Sequence, residues 1–373
     1  MFFHVILTTQ CNLQCKYCFG KSCDDIGTKF GEFTVDYSMP KEINYPIKWL
    51  KNFCEKDPEC VLTFYGGEPT LCVEKIRQIM DNVPAKHYLI QTNALLLDKL
   101  KPEYTNRLHT VLVSIDGNEE LTDYCRGPGV YRKVMDNVKR ITTDGFAGEI
   151  IARMTVTEET DIFKQVNWLL DNEDFSFSSI HWQLDAGFWK NDFAHRKFER
   201  WVKENYNPRV KKLVRHWVDY MEKSGKVLKL YPFLAIMQSL LLKEKSLLRC
   251  GSGWTNYSIL TDGNIAPCPI MGGMKDFYVG HIKTAHPLKL SKVFVTNPCS
   301  QCSSLSECGG RCLYANITKQ WNERQYALVC DTVRNLISAL KKEVPKVKSL
   351  IDKGTIKLPH FDYLKYNGCE IIP

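Results

Sequence analysis

The sequence lacks the long apolar runs of a membrane protein and the biased stretches of a low-complexity protein. No segment approaches the roughly 18 consecutive apolar residues that a membrane-spanning helix needs. The N-terminal MFFHVILTTQ has neither the basic start nor the apolar core of a signal peptide. We therefore expect a globular cytoplasmic protein with no membrane partner.

The composition is that of a folded chain, but its charge is unevenly distributed. Hydrophobic residues make up 44% and charged residues 25% of the 373 residues. Segment 189–250 holds fifteen Lys or Arg against six Asp or Glu, a net charge of +9, so the rest of the chain is about neutral within the total of +8. It is either a binding face for an acidic peptide or nucleic acid, or only a solvated helical surface. No recognised RNA-binding motif accompanies it, so a nucleic-acid partner is not expected.

Six short runs of β-branched and apolar residues predict buried parallel strands. They are residues 4–9, 61–67, 87–93, 109–117, 149–156 and 179–185. Between two of them, apolar residues recur at helical spacing in 130–141. The alternation predicts a β/α barrel or an open α/β sheet, whose ligands sit beyond the carboxyl ends of the strands. The first cysteines, YGGEP at 65–69 and SIDG at 114–117 follow or end such runs, so we expect them at one rim.

The pattern changes after the sixth run. Residues 208–221 have an apolar helix face with basic residues elsewhere. From Arg249 the chain is rich in Gly, Pro and Cys, which predicts a small metal-stapled domain, and a last helix is expected to end at Pro345 before an irregular tail. The predicted segments are 1–185 (barrel), 186–248 (basic helical connector), 249–331 (cysteine-rich domain) and 332–373 (C-terminal helix and tail).

Sixteen cysteines in a chain expected in a reducing compartment indicate metal binding or catalysis rather than disulfides. Cys11, Cys15 and Cys18 have the spacing Cys-x3-Cys-x2-Cys. Zinc usually takes four protein ligands in a structural site, so three thiolates leave it one short. A 4Fe–4S cluster on three cysteines instead has one iron open to a small molecule, to which it can deliver an electron. The spacing therefore favours an iron–sulfur catalyst.

CNLQCKYC (11–18) and YGGEP (65–69) resemble the cluster signature and the SAM-binding turn of radical S-adenosylmethionine (SAM) enzymes. The resemblance implies an α/β fold with a partial (β/α)6, TIM-like barrel. It also implies a 4Fe–4S cluster on Cys11, Cys15 and Cys18 that binds and cleaves SAM to give a 5′-deoxyadenosyl radical. An electron donor such as flavodoxin or ferredoxin would be a partner.

By position, the resemblance also implies contacts with SAM. The residues are Tyr17, Gly66, Gly67, Glu68, Ser114, Arg126 and Arg153. Positions 66–68 would meet the amino group, Tyr17 the adenine, and Ser114 the ribose and methionine portion. Two alternatives to SAM contact are equally good: a salt bridge within a loop for Arg126, and a charge at the end of a strand for Arg153.

Seven cysteines of the C-terminal half match the SPASM pattern, an extension of some radical SAM enzymes that holds two auxiliary 4Fe–4S clusters. The resemblance assigns four of these cysteines to a closed distal cluster and three to a nearer one. Together with the cluster of the first cysteine loop, this makes three clusters in all. The distal set is Cys299, Cys302, Cys308 and Cys330, and the nearer set is Cys250, Cys268 and Cys312. A fourth ligand of the nearer cluster is either absent or a stray residue such as Cys23 or Cys369. A pair of zinc ribbons is the alternative.

CKYCFG, GGEPTL, QTN and SIDG resemble the branch that modifies peptides and proteins, which includes anaerobic sulfatase-maturating enzymes and ribosomal-peptide crosslink maturases. Sulfatase-maturating enzymes carry a catalytic aspartate after the cysteine that matches Cys268. Here that position is Pro269, and the nearest acids are Asp262 and Asp276. This departure predicts another oxidation of a peptide or protein side chain, such as a crosslink, a thioether or a dehydrogenation.

Other functions stay open. They are sulfatase-maturase-like oxidation of Ser or Cys, radical SAM decarboxylation in tetrapyrrole biosynthesis, and electron transfer without catalysis. The chain begins at the first predicted strand, so we expect any leader peptide to be recognised by a separate protein or by the basic helices. No catalytic residue is assigned.

Overall fold

The computed structural model of the chain describes residues 1–18, 29–30, 33–187 and 193–373. Its strands are Phe2–Thr8 (β1), Lys29–Phe30 (β2), Phe33–Thr34 (β3), Val61–Gly66 (β4), His87–Thr92 (β5), Leu108–Ser114 (β6), Glu149–Val156 (β7), Ser179–Leu184 (β8), Lys229–Leu230 (β9), Asn256–Ile259 (β10), Asn264–Ala266 (β11) and Gly280–His281 (β12). All six predicted strands are confirmed, as β1 and β4 to β8.

The α-helices in the same ranges connect and cover these strands. They are Ile47–Cys54 (α1), Val73–Asn82 (α2), Pro102–Thr105 (α3), Glu119–Arg126 (α4), Val130–Thr143 (α5), Ile162–Leu170 (α6), Phe198–Trp201 (α7), Asn207–Ser224 (α8), Tyr231–Leu242 (α9), Leu305–Cys308 (α10), Leu313–Thr318 (α11) and Glu323–Asp352 (α12). A π-helical turn, Val202–Tyr206, joins α7 to α8. None of the helices within the described ranges has the length and apolar character that a membrane span requires.

The chain divides into two compact units. The first comprises Met1–Ile115, Thr122–Ile151 and Gly251–Phe294, and the second comprises Asp116–Leu121, Ala152–Cys250 and Val295–Pro373. Each unit therefore combines segments that are distant in sequence. The division of the sequence into four consecutive segments stays a prediction.

The first unit is built on a sheet in the order β12-β11-β10-β1-β4-β5-β6. From β10 to β6 all neighbours are parallel, whereas β11 and β12 pair antiparallel. Phe3, Val5 and Leu7 of β1 are fully buried, and the ring of Phe3 lies 5.1 Å from that of Phe53 on α1. An apolar strand with a parallel partner on each edge is typical of the interior of an α/β sheet. The sequence predicted β1, but not the pairing of β10 with it.

The second unit packs its long helices around large aromatic side chains. Its strands β8 and β9 pair in parallel. Trp217 of α8 contacts Phe233 of α9, at 5.6 Å between ring centroids, and its indole donates to the Leu228 carbonyl at 2.9 Å. Trp182 of β8 packs on the same Phe233 and donates to the Tyr206 hydroxyl at 3.0 Å. The buried indole N–H groups are thus both satisfied, as burial in an apolar core requires.

The expectation that the last helix ends at Pro345 was wrong, because α12 continues to Asp352. Proline removes one backbone hydrogen bond from a helix interior. Beyond it, however, Val347 and Leu350 are buried, and the ammonium of Lys346 pairs with both Asp219 and Glu222 of α8 at 2.8 and 2.9 Å. Packing of the last turns against the unit therefore outweighs the lost hydrogen bond.

The C-terminal tail is irregular, as predicted, but it is tightly packed. Phe361 lies edge-on to Trp217, and the Asn367 amide donates to the Tyr231 hydroxyl at 3.2 Å. Glu370 is only 3% exposed, and its carboxylate accepts the backbone N–H of Tyr366. Burial raises the pKa of Glu370 to about 8. The tail thus carries an acid that the folded state prefers to keep protonated.

This acid predicts a pH dependence of stability. The unfolded chain releases the proton near the usual glutamate pKa of about 4.3, whereas the folded chain holds it to about pH 8. Folding therefore binds a proton between these values, and the free energy of unfolding falls as the pH rises through this window. We expect Glu370→Gln to flatten that fall in urea unfolding curves recorded from pH 5 to 8.

The exposed Glu103 provides a matched control. Glu103→Gln makes the same chemical change and should leave the wild-type slope in place. An equally steep slope in Glu370→Gln would show that the buried carboxyl is not its source.

Candidate active site

The first cysteine loop begins where β1 ends and is fixed by backbone hydrogen bonds. The N–H of Gly67 donates to the Thr8 carbonyl at 2.9 Å, and the N–H of Glu68 donates to the Gln10 carbonyl at 2.8 Å. On its other side, the N–H of Lys16 donates to the Cys125 carbonyl at 2.9 Å. The YGGEP turn and the end of α4 therefore hold the two ends of the segment that contains the three cysteines.

The two glycines of YGGEP are required by this contact. A Cβ on Gly67 would lie 2.1 Å from the Gln10 carbonyl oxygen, and one on Gly66 would lie 2.2 Å from that of Thr8. Gly66 also has a φ of +144°, which side chains disfavour. These glycines are thus needed for the packing of the protein itself, because only glycine lets the turn approach the end of β1.

Glu68 joins the turn to the end of the next strand. Its carboxylate accepts the N–H and hydroxyl of Thr70 at 2.9 and 2.6 Å, the hydroxyl of Thr92 at 2.7 Å and the N–H of Asn93 at 2.7 Å. Burial raises the pKa of Glu68, and these hydrogen bonds counteract the effect. Four donors on one buried carboxylate make a rigid connection between the ends of β4 and β5.

Asn93 extends the connection to the cysteine loop. Its amide donates to the Asn12 side chain at 2.8 Å and lies 3.9 Å from the Cys11 sulfur. The sequence did not single out Thr92 or Asn93 as site residues. They could have been found from the position of QTN (91–93) at the carboxyl end of a buried parallel strand, where functional groups cluster.

The three thiols of the loop suit an iron–sulfur cluster. Cys11 is exposed, Cys18 is half-buried and Cys15 is buried, and none forms a disulfide. Burial raises the pKa of Cys11, the Leu13 N–H lowers it, and Glu68, Cys15 and Cys18 raise it further. The three thiols therefore interact electrostatically, and metal binding relieves the repulsion between their thiolates. The Leu13 N–H, 3.4 Å from the Cys11 sulfur, is a donor of the kind that stabilises bound thiolates.

Tyr17 and Arg126, both predicted SAM contacts, lie together. The guanidinium of Arg126 sits 5.5 Å from the centroid of the Tyr17 ring, and Arg126 is buried. Next to them, the ammonium of Lys16 lies 3.0 Å from the centroid of the Tyr124 ring. These cation–π contacts fasten the loop to α4.

The other two predicted SAM contacts belong to different strands. Ser114 is the last residue of β6, which is parallel to β5, so it lies at the same end of the strands as the cysteine loop. Arg153 of β7 donates to the Gly368 carbonyl of the tail and lies 3.4 Å from the Gln183 side-chain oxygen. In this structure the Arg153 guanidinium therefore has partners within the second unit.

Five cysteines of the second unit line one cavity. They are Cys299, Cys302, Cys308, Cys312 and Cys330. Burial, together with the charges of Cys308, Cys330 and Cys302, raises the pKa of Cys299 to about 11. The four thiols assigned to the distal cluster are therefore mutual neighbours, and this donor set suits a 4Fe–4S cluster.

Different elements present these cysteines. Cys299 begins a 3-10 turn, Cys308 ends α10, and Cys330 lies within α12, which starts from an Asn322 capping box. Gly309 permits the tight turn after α10, since a Cβ there would lie 2.0 Å from the Leu247 carbonyl oxygen. The cysteine set is thus held by well-defined backbone on several sides.

The cysteines assigned to the nearer cluster occur in both units. Cys268 is buried in the first unit, directly before the 3-10 turn Pro269–Met271. Cys250 and Cys312 belong to the second unit, where the Arg249 guanidinium donates to the Glu307 carbonyl at 2.8 Å. Of the two stray candidates for a fourth ligand, Cys369 is fully buried in the tail. The other, Cys23, lies outside the described residues.

Comparison with known proteins identifies the domain around the first cysteine loop. A family model of the radical SAM superfamily matches residues 5–163. Residues 5–163 are a radical SAM domain. A domain of this kind binds SAM and a 4Fe–4S cluster, and the loop of Cys11, Cys15 and Cys18 within this segment carries the matching motif.

Two relatives of the chain are cysteine-type anaerobic sulfatase-maturating enzymes. That of Clostridium perfringens (strain 13) is 22% identical over 353 residues, which cover 87% of this chain and 91% of the relative. That of Clostridium novyi (strain NT) is 24% identical over 289 residues, covering 73% and 72%.

Solved structures share the fold. The structure of anSMEcpe with bound AdoMet matches with a TM-score of 0.71 at 17% identity, over 94% of this chain and 99% of that one. Streptococcus suis SuiB bound to precursor peptide SuiA matches with a TM-score of 0.52 at 15% identity, over 85% and 72%. The predicted α/β fold with a parallel sheet is confirmed.

The glycine contact gives a prediction for the radical SAM domain. In Gly67→Ala the new Cβ would lie 2.1 Å from the Gln10 oxygen, so the cysteine loop has to move away from the turn. We expect the variant to bind up to about four fewer iron atoms per chain after anaerobic reconstitution, and to lose SAM cleavage. Iron analysis and a 5′-deoxyadenosine assay measure both effects.

Gly272→Ala is the control, because a Cβ there meets its nearest atoms at an ordinary 3.4 Å. It should retain wild-type iron and SAM cleavage. Full iron content and activity in Gly67→Ala would show that the close approach of the two segments is not needed to hold the loop.

Proposed function

We propose that this enzyme oxidises a side chain of a peptide or protein, forming a crosslink, a thioether or a double bond, and that it holds three 4Fe–4S clusters. The observation that carries the proposal is the pairing of a three-cysteine loop in the radical SAM domain with a separate five-cysteine cavity in the second unit. An enzyme that only generates a radical needs the first set alone. A second set suits an enzyme that must also remove an electron from its substrate.

The residues around the first loop have positioning roles. When bound, the cluster and SAM supply a 5′-deoxyadenosyl radical that removes a hydrogen atom from the substrate. Cys11, Cys15 and Cys18 would hold three of the four irons. The Glu68 carboxylate, held by Thr70, Thr92 and Asn93, fixes the turn against the loop. We assign Tyr17, Ser114 and Arg126 to the SAM site as parts of the same proposal.

The distal cysteine set suits electron transfer. Four thiolates, from Cys299, Cys302, Cys308 and Cys330, would complete the coordination of a cluster and leave no iron for substrate. Loss of a hydrogen atom, then of an electron and a proton, makes a two-electron oxidation of the substrate. The closed cluster would take that electron, and a flavodoxin or ferredoxin would supply the one consumed in SAM cleavage. We also propose a cytoplasmic location, where such thiols stay reduced.

The peptide substrate is supported by relatives. Structures of the fold include anSMEcpe with bound AdoMet and the Cp18Cys peptide, and SuiB with its precursor peptide SuiA. The bound peptides belong to those proteins. Because the sequence identities are low, the likeness shows only that this chain shares their fold. Together with the second cysteine set, they make a peptide or protein the substrate class that we favour.

The surroundings of Cys268 favour a reaction other than sulfatase maturation. The residue after Cys268 is Pro269, which carries no acid. The Asp262 carboxylate accepts both the N–H and the side-chain amide of Asn264, at 3.0 and 2.7 Å, in the turn between β10 and β11. Asp276 is exposed. Asp262 is thus engaged within its own turn, and Asp276 lies at the surface.

The decisive test is anaerobic reconstitution of the wild type beside a variant with Cys11, Cys15 and Cys18 all changed to alanine. We expect about twelve irons in the wild type and about eight in the variant, because each 4Fe–4S cluster holds four irons. SAM with a strong reductant should yield 5′-deoxyadenosine from the wild type only. Zinc in place of iron, or nucleoside formation by the variant, would contradict the proposal.

A basic face of α8 is our candidate for binding an acidic leader segment. Lys211, Lys212 and Arg215 are exposed on this helix, and Lys211 and Arg215 form no ion pair with any residue that the structure describes. The acids of the same helix, Asp219 and Glu222, are already paired with a lysine of α12. The helix therefore offers unpaired positive charge to a partner.

Changing Lys211, Lys212 and Arg215 together to glutamine should weaken binding of an acidic substrate peptide at least tenfold. It should also reduce the dependence of affinity on salt, since fewer charge pairs remain to be screened. Fluorescence anisotropy at several salt concentrations measures both quantities.

The control variant changes Lys48, Lys101 and Lys289, which are exposed elsewhere, to glutamine. It carries the same change in net charge. An equal loss of affinity in both triple variants would mean that total charge matters and α8 does not.

A further inference from the structure

Arg311 is a buried cation without a counter-charge among the described residues. Its side chain is 9% exposed, and its guanidinium lies 5.1 Å from the centroid of the Trp321 ring. Its Nε is buried and has no hydrogen-bond partner. A buried charge that lacks a partner is costly, so an anion is expected beside it.

The cavity of the five cysteines supplies the place for that anion. Arg311 lines the cavity together with the thiols. Two assigned ligands on different helices, Cys308 and Cys330, line it as well. The guanidinium and these thiols therefore face the same cavity.

We propose that Arg311 is a positioning residue whose charge raises the reduction potential of the distal cluster. The inference rests on the proposed function, because it takes a 4Fe–4S cluster on Cys299, Cys302, Cys308 and Cys330. Such a cluster with four thiolates is an anion, and reduction adds one more negative charge. A cation in a poorly solvated site therefore stabilises the reduced form more than the oxidised form.

Arg334 is a natural internal comparison. It follows Cys330 by four residues on α12, so both lie on one helix face, and it lines the same cavity. Unlike Arg311 it is exposed. Water and salt screen an exposed charge far better than a buried one, so Arg334→Gln tests whether burial of the charge, rather than closeness to Cys330, decides its influence on the cluster.

The consequence concerns the direction of electron flow. A distal cluster that is easier to reduce is a better acceptor for the electron that the substrate gives up. Arg311 would thus favour oxidation of the substrate without touching the substrate or SAM.

The test is a potentiometric titration followed by electron paramagnetic resonance on the reconstituted full-length enzyme. The signal of the distal cluster is the one that disappears in Cys302→Ala. In Arg311→Gln we expect the equilibrium between oxidised and reduced cluster to shift about tenfold toward oxidised, which is 59 mV for a one-electron couple. Arg334→Gln should shift it less than threefold, and Arg311→Lys, which keeps the charge, should stay within threefold of the wild type.

The outcomes separate the inference from the proposed function. An unchanged potential in Arg311→Gln with full iron content overturns the inference alone. A wild-type enzyme with no signal that depends on Cys302 overturns the proposed distal cluster. If Arg311→Gln loses the cluster, the Arg311→Lys variant decides between a role for the charge and a role for packing. A retained cluster with the wild-type potential supports a role for the charge, and loss of the cluster there too means that packing of the guanidinium on Trp321 is what matters.

Discussion

The candidate active site depends on one steric constraint, the absence of a side chain at Gly67. The turn after β4 meets the segment after β1 so closely that a single methyl group would overlap a carbonyl oxygen. This contact aligns the N–H groups of Gly67 and Glu68 with the carbonyls of Thr8 and Gln10. Once the backbone is placed in this way, the Glu68 carboxylate reaches the end of β5, and Asn93 reaches the cysteine loop. The cysteine loop is therefore positioned by backbone contacts that only glycine permits.

The second cysteine set is organised differently. Its members sit on a 3-10 turn, at the end of one helix and in the interior of another. Arg311, a buried cation, lines their cavity. The first set thus lies near a buried carboxylate and the second near a buried guanidinium. This difference in local charge fits two sets with different duties, one delivering electrons and the other receiving them.

Much of the fold could be predicted because its signals are local. The six strands are short apolar runs buried on both faces, and such runs stand out in any parallel sheet. The pairing of β10 with β1 could not be read, since four residues near a cysteine cluster carry little pattern. The continuation of α12 past Pro345 depends on burial of Val347 and Leu350 and on the ion pairs of Lys346, which are tertiary contacts.

The site residues show the same limit. The cysteine spacing predicted metal ligands in the first loop, an assignment that stays a prediction, and YGGEP marked the turn that contacts this loop. The sequence linked Glu68 to SAM, whereas the structure shows the carboxylate engaged by Thr70, Thr92 and Asn93. Hydrogen-bond partners 24 and 25 residues apart in sequence cannot be inferred without the register of β4 and β5.

The pairing of β1 on both edges has a consequence for how the enzyme responds to loss of its metal. A strand at the edge of a sheet opens readily, and a loop that follows it is then poorly positioned. Here β1 is flanked by β4 and β10, so its amides should be among the slowest to exchange with solvent even in the apo protein. The first two residues of the cysteine loop thus follow a rigid strand end. This lowers the conformational entropy that the loop loses when the cluster binds. Reassembly after damage by oxygen would begin from a site whose N-terminal half is already in place.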